Sequence, residues 1–279
     1  MGQDSAASSI DGLRYNQVRQ KSTHNAYKRI EGLIDQLVYW RIRSLEVDLH
    51  MGDQLGRPID DGDWAVYHAT PDPMSSVPRM SQVLEILAGF HRAVPDHEVI
   101  TVFVDMKDAF PVDQNDGHSG LSLDRLIIDR LDAPLGGVVY RPHELLNRDA
   151  DATSLKAAVA GSSGWPTLAE LRGRFIFCIT GGPSFVEHYT DGPLTDPARL
   201  VFVSVPVAEV DDIPGDPDRV FFNVDGNKHI DLARQAACNG WVARAYYVND
   251  RTTWRSASDA GVHRRRSRKD LHAVEIGRQ

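Results

Sequence analysis

Val99-Ile-Thr-Val-Phe-Val-Asp-Met-Lys107 is apolar at every position but one from Val99 to Val104 and turns ionic at Asp105 and Lys107. A strand that is apolar on both faces has to be covered on both sides, as in a parallel sheet wrapped by helices. Similar runs recur along the chain: Tyr15–Ser22, Ser44–His50, Ala65–His68, Phe175–Thr180, Leu200–Val205, Val220–Val224, Val242–Val248 and a stub at Val262. Between them, Ile30–Trp40, Ser81–Val94, Leu123–Leu131, Thr167–Leu171, Asp231–Asn239 and Thr252–Ala260 carry helical spacing, with Ser81 placed to cap the second of these. About eight strand signals without an internal repeat predict an α/β fold, a (β/α)8 TIM barrel, with catalytic groups at the C-terminal ends of the strands. Residues 1–14 read as an N-terminal extension and 15–279 as one barrel domain.

The chain is 279 residues long, with 42% hydrophobic and 25% charged residues, the balance of a globular protein. Folding at this length buries roughly three quarters of the unfolded surface, so the core needs no disulfide or metal staple. The charge of −8 is the wrong sign for a nucleic-acid binder. Cys178 and Cys238 have neither disulfide-framework nor zinc spacing. The chain shows no signal peptide and no transmembrane run, so it reads as soluble as given.

Four strands end in residues that a buried strand has no packing reason to carry. The first runs into Ser22-Thr-His-Asn-Ala-Tyr27, where His24 and Asn25 offer an imidazole and an amide oxygen. The second, Ser44-Leu-Glu-Val-Asp-Leu-His50, puts Glu46, Asp48 and His50 on one face and Leu45, Val47 and Leu49 on the other. Neighbouring carboxylates repel when both are ionised, so their burial calls for a cation or a shared proton. A solvated edge strand is the alternative, but the apolar partners at alternate positions favour the cation. Trp64-Ala-Val-Tyr-His68 ends in a second histidine, and the quoted strand ends in Asp105 and Lys107. Asn25, Glu46, Asp48 and Asp105 form an oxygen donor set that suits Ca2+ or Mg2+, and leave His24 and His68 free for proton transfer. A divalent cation, two histidines and a lysine suit displacement at phosphorus, where charge grows on phosphoryl oxygens.

The segments STHNAY, LEVDLH, VYH and VFVDMKD, in that order, resemble the catalytic half of phosphatidylinositol-specific phospholipase C. Gly164-Trp-Pro-Thr-Leu-Ala-Glu-Leu-Arg-Gly173 makes the bacterial calcium-dependent phosphoinositide phospholipase C family the nearest, over about Tyr15 to Gly261. The resemblance implies the barrel fold and a phosphoinositide or related glycerophosphodiester as substrate. It implies that His24 steadies a phosphoryl oxygen, that His68 protonates the departing alkoxide, and that Asn25, Glu46, Asp48 and Asp105 hold Ca2+. It also implies that Lys107 and Arg244 contact phosphate. Asp105 stands where these barrels usually have glutamate, and Tyr246 and Val248 replace an expected arginine and acid. The family is often secreted. A glycerophosphodiester phosphodiesterase, which would carry a His-Arg-Gly motif absent here, ranks second. A catalytically silent lipid-headgroup-binding barrel is the rival from another class.

Three expectations concern the remaining features. The basic run Arg264, Arg265, Arg266, Arg268 and Lys269 stands where the closing strand should lie, which predicts an irregular or incomplete last strand. It reads as a solvated end, with peripheral contact to an anionic membrane as the alternative. His91, His97, His118, His143, His188 and His229 read as surface or capping residues, and Trp64 as a loop residue able to meet lipid.

Overall fold

The computed structural model describes residues 10–57, 59, 62–70, 72, 74–108, 122–181, 186–187, 189, 192–207, 215–248, 250–262 and 264–267. Among these the strands are β1 (Gln20–Thr23), β2 (Ser44–His50), β3 (Ala65–Val66), β4 (Ile100–Met106), β5 (Phe175–Gly181), β6 (Phe202–Val207), β7 (Phe221–Asp225), β8 (Val242–Tyr246) and β9 (Arg264–Ser267). The helices are α1 (Leu33–Val38), α2 (Met80–Ala93), α3 (Ser122–Ile127), α4 (Pro142–Leu146), α5 (Leu155–Ala160), α6 (Ile230–Cys238) and α7 (Arg251–Asp259). His118, His188, Arg268 and Lys269 lie outside the described residues.

Eight strands pair in parallel in the order β1-β2-β4-β5-β6-β7-β8-β9, and β9 returns to β1. The ring is an irregular (β/α)8 barrel. The β1–β2 contact is a single register pair, Ser22 with Ser44, and no helix separates β6 from β7 among the described residues. No described helix is long and apolar enough to cross a membrane.

Two strand expectations change. Ala65–His68 does not supply a barrel stave: β3 is two residues long and runs antiparallel to the end of β2, pairing with Leu49 and His50. The eighth stave is the basic run itself, since Arg264–Ser267 pairs all four of its residues with Gln20–Thr23 and two with β8. Residues 264–267 are therefore a paired strand rather than a loose end. Backbone ladder bonds close the ring here, and they require no apolar pattern.

Period-two alternation sorts the barrel into two cores. Leu45, Val47 and Leu49 of β2, with Ile100, Val102 and Val104 of β4, point outward into the layer shared with α1 and α2. Phe103, Ile176, Cys178, Phe202, Phe221 and Val242 point inward with Tyr15 and Trp165. Tyr15 seals the base of the barrel, its hydroxyl 2.8 Å from Thr101 Oγ1 and its ring 5.1 Å from that of Trp165. Farther along the same inward faces the side chains become polar: Glu46, Asp48, Thr180, Ser204, Asn223 and Arg244, all buried. The site thus sits at the C-terminal end of the strands, above a greasy plug.

Smaller departures follow from packing. Trp64 is fully buried in the outer core and meets no lipid, because α2 begins against it through the Met80 N–H bond to its carbonyl. Ser81 does not cap α2, whose cap position is Arg79. Its hydroxyl and N–H instead donate to Asp63 at 2.6 and 3.1 Å. Thr167–Leu171 forms turns rather than a helix. His97 is buried, with Nδ1 2.8 Å from the Glu98 carbonyl oxygen and Nε2 3.2 Å from His91 Nδ1. Both cysteines are free, Cys178 buried and Cys238 exposed.

Candidate active site

The edges of β2 set the site. One edge is taken by β4 from Ser44 to Leu49, so β1 and β3 must share the other. β1 leaves after Ser44, β3 joins at Leu49, and the wedge between them receives the chain just after β1. There Asn25 adopts a left-handed conformation (φ 47°, ψ 60°), which Asn tolerates better than most residues. Its N–H lies 3.4 Å from Glu46 Oε2, and His24 Nε2 lies 3.9 Å from the same oxygen.

Glu46, Asp48 and Asp105 bring carboxylate oxygens within 4.8 Å of one another. Register explains the encounter, because Asp48 of β2 is directly opposite Asp105 of β4. Glu46 and Asp48 are fully buried. Two cations answer the three carboxylates. Lys107 Nζ lies 2.7 Å from Asp105 Oδ2 and 3.4 Å from Asp48 Oδ2, while Arg244 Nη2 lies 2.8 Å from Glu46 Oε2. Arg244 is sealed in the barrel, its guanidinium carbon 4.6 Å from the Phe103 ring centre and Nη1 3.3 Å from Asn223 Oδ1. Asn223 in turn donates to Thr180 Oγ1 at 3.2 Å.

The electrostatics reflect this crowding. Burial first, then the charge of Glu46, pushes the Asp48 carboxyl up to about 7, against the pull of Lys107. Burial opposes the Lys107 ammonium, but Asp105 and Asp48 outweigh it and raise its pKa. Tyr27, buried one turn beyond Asn25, donates to Asp48 Oδ2 at 2.9 Å, and burial with the Asp48 charge keeps its hydroxyl protonated.

The donor set fits a hard cation. Asn25 Oδ1 and Asp48 Oδ1 are buried and accept no hydrogen bond from the described residues, a costly state for oxygen acceptors unless an ion meets them. One amide and three carboxylate groups match the oxygen coordination of Ca2+. The histidines stand beside this set. His24, Asn25, Lys28, Arg29, His68 and Asp72 line a cavity of about 320 Å³.

The structure therefore brings together His24, Asn25, Glu46, Asp48, His68, Asp105 and Lys107, with Arg244 beneath them. His50, on the same strand as Glu46 and Asp48, turns aside: it stacks on Tyr67 at 3.8 Å and meets Asp108 Oδ1 at 2.9 Å. Sequence reasoning missed Tyr27, although it falls inside the STHNAY run. It also missed Gly181 at the end of β5, whose φ is 72° and where a Cβ would fall 2.0 Å from Asp105 Oδ1. A left-handed glycine after an apolar strand was the available signal.

The structure is similar to the calcium-dependent phosphoinositol-specific phospholipase C of a Pseudomonas species at 18% identity, TM-score 0.81, covering 96% of this chain and 94% of that one. It is similar to the Ca2+-dependent phosphatidylinositol-specific phospholipase C of Streptomyces antibioticus at 22% identity, TM-score 0.69, over 91% and 94%. A glycerophosphodiester phosphodiesterase of Parabacteroides distasonis is more distant, with 13% identity and TM-score 0.52 over 90% and 93%. At these identities the structural likeness establishes the fold alone. No curated protein sequence matches. The family model described as Ca2+-dependent phosphoinositide phospholipase C matches residues 64–273, three quarters of the chain. The chain belongs to the Ca2+-dependent phosphoinositide phospholipase C family.

Proposed function

We propose that the protein cleaves phosphatidylinositol or a related glycerophosphodiester at the bond between phosphorus and the glycerol oxygen, with Asn25, Glu46, Asp48 and Asp105 as Ca2+ ligands. The observation that carries this reading is the pair of donorless buried oxygens, Asn25 Oδ1 and Asp48 Oδ1, beside a cavity lined by His24 and His68. Bound there, Ca2+ would supply Lewis-acid stabilisation to a phosphoryl oxygen on which charge grows.

The chain's own groups do the rest. His24 donates a hydrogen bond to a phosphoryl oxygen. As a headgroup hydroxyl or water forms the new bond to phosphorus and releases its proton to solvent, His68, also in the cavity lining, delivers its proton to the glycerol oxygen as the old P–O bond breaks, so that an alcohol leaves instead of an alkoxide. Lys107, held positive by Asp105 and Asp48, adds charge at the phosphate, and Arg244 adds charge from beneath through Glu46. Tyr27 holds Asp48 Oδ2 and so turns the other oxygen toward the ion. A lipid substrate also requires contact with the bilayer surface.

The test is hydrolysis of phosphatidylinositol vesicles, glycerophosphoinositol and glycerophosphocholine, each with Ca2+ and with chelator. Turnover of the inositol lipid that chelator abolishes is expected. Turnover of the soluble diesters alone would favour a glycerophosphodiester phosphodiesterase. Headgroup binding without any turnover would favour the silent barrel, and chelator-resistant turnover would remove the metal from the reading.

A further inference from the structure

The two histidines reach the cavity on supports of unequal strength. His24 follows β1, a barrel stave paired along its whole length with β9. His68 follows β3, a two-residue strand outside the ring. Beyond His68 the chain makes a tight turn, with the Asp72 N–H bonded to the Ala69 carbonyl at 2.8 Å. The turn is then fastened to the segment that follows β1. The Lys28 ammonium donates to Asp72 Oδ2, and Ser76 donates to the Tyr27 carbonyl through its N–H at 2.8 Å and its hydroxyl at 2.7 Å. Lys28 is itself fixed, since its N–H bonds the Asn25 carbonyl at 2.8 Å.

We infer that the Lys28–Asp72 ion pair is a clasp that sets the separation of His24 and His68, making both members positioning residues for phosphodiester cleavage. The inference rests on the reading of the two histidines as the groups that act on the diester. Lys28 and Asp72 lie in the cavity wall with both histidines, so the clasp borders the space that the diester would occupy. The pair is partly open to solvent, with side chains 24% and 46% exposed. An ion pair so exposed contributes little to folding. Its value lies in geometry, because a displacement of roughly 1 Å at a reacting group costs on the order of a hundredfold in rate.

The experiment is a double-mutant cycle with Lys28→Met and Asp72→Asn, and Lys28→Arg as the conservative variant. It uses phosphatidylinositol in mixed micelles at saturating Ca2+. Each single change should lower kcat about 10- to 100-fold with KM, melting temperature and calorimetric Ca2+ affinity nearly unmoved. The double variant should lose no more than either single, because both remove one pair. Lys28→Arg should keep most of kcat. Multiplying losses, unchanged kcat in either single variant, or a raised KM with kcat intact in Lys28→Met would overturn the inference, the last by making Lys28 a phosphate ligand. Amide exchange over 65–69 and 74–76 reads the clasp without turnover. It should speed up in both single variants and stay slow in Lys28→Arg, and unchanged exchange would overturn the clasp. A parent protein inactive on every diester with Ca2+ would instead defeat the phosphodiesterase reading.

Discussion

Asp48 and Asp124 are built from similar parts. Each is a buried aspartate facing a fully buried tyrosine, and in each burial is the leading cause that pushes the carboxyl up to about 7. Asp124, in the first turn of α3, receives the Tyr189 hydroxyl on both oxygens at 3.0 and 2.9 Å and lies 3.4 Å from the Leu200 N–H. The Arg199 guanidinium stacks over Tyr189 at 4.8 Å and shuts the pocket. Asp48 receives its tyrosine on one oxygen, and the other accepts nothing from the described residues. Glu46 and Asp105 bring carboxylate oxygens within 4.8 Å of the Asp48 carboxyl. A raised carboxyl pKa thus marks burial in both places. What separates a site from a structural joint is an oxygen without a donor in a cluster of like charge.

The largest expected effect breaks the comparison on the side of chemistry. Changing His24 or His68 to alanine should each lower turnover ~10²–10⁴-fold while calorimetric Ca2+ affinity stays put. Loss of Ca2+ binding in either variant would make that histidine a ligand, and the oxygen-only account of Asp48 would fall. Next in size is Asp48→Asn, which should weaken Ca2+ binding by more than ~100-fold, beyond the cost of losing an outer partner of a ligand. Asp124→Asn should leave Ca2+ binding unchanged. Equal effects of the two changes would show that the donorless oxygen is no guide.

The same contrast explains how much could be read beforehand. β2 and β4 were legible because their two faces differ chemically: Leu45, Val47 and Leu49 pack outward while Glu46 and Asp48 point in. The oxygen set followed from strand spacing plus the cost of burying like charges. β9 was not legible, since Arg264–Ser267 closes the ring through ladder bonds that leave no mark in side-chain pattern. β3 imitated a barrel stave because strand-type residues say nothing about which partner they meet. Trp64 and His97 were misjudged because their burial depends on α2 and on His91, contacts set by the tertiary fold. The roles of Tyr27 and Gly181 likewise arise from partners 21 and 76 positions away, Asp48 and Asp105.

A smaller effect sharpens the comparison through pH. Asp124 keeps its proton in the folded protein up to about 7, whereas an unfolded aspartate loses it near 3.8. Between those values the unfolded state binds fewer protons, so stability falls as pH rises from about 4 to 7 and levels off above. Asp48 in the metal-free protein contributes with the same sign. The two are separated by working in an Asp48→Asn background without Ca2+. Adding Asp124→Asn there should flatten the remaining decline, a difference of up to roughly 1.4 kcal/mol per pH unit. Chemical denaturation at pH 4, 5, 6 and 7 measures it. Parallel curves would mean that Tyr189 and Leu200 hold Asp124 ionised.

The smallest effect concerns the two tyrosines. Tyr27→Phe removes the one hydrogen bond donated to Asp48 Oδ2, yet Lys107 remains 3.4 Å from that oxygen and the crowding by Glu46 is unchanged. The carboxylate should lose orientation more than stability, so Ca2+ affinity should fall about tenfold, the low end for an outer partner of a ligand. Folding should lose no more than about 1 kcal/mol. Tyr189→Phe strips both Asp124 oxygens of their hydroxyl donor and leaves the Leu200 N–H at 3.4 Å. A buried acceptor left short in this way costs about 1–3 kcal/mol, and nothing there connects to the ion. The pair of variants should therefore cross: one moves Ca2+ affinity with little change in denaturation midpoint, the other moves the midpoint with Ca2+ affinity intact. If Tyr189→Phe also weakened Ca2+ binding, the two pockets would be mechanically coupled through β4–β6. Asp124 would then have to be counted as part of the site.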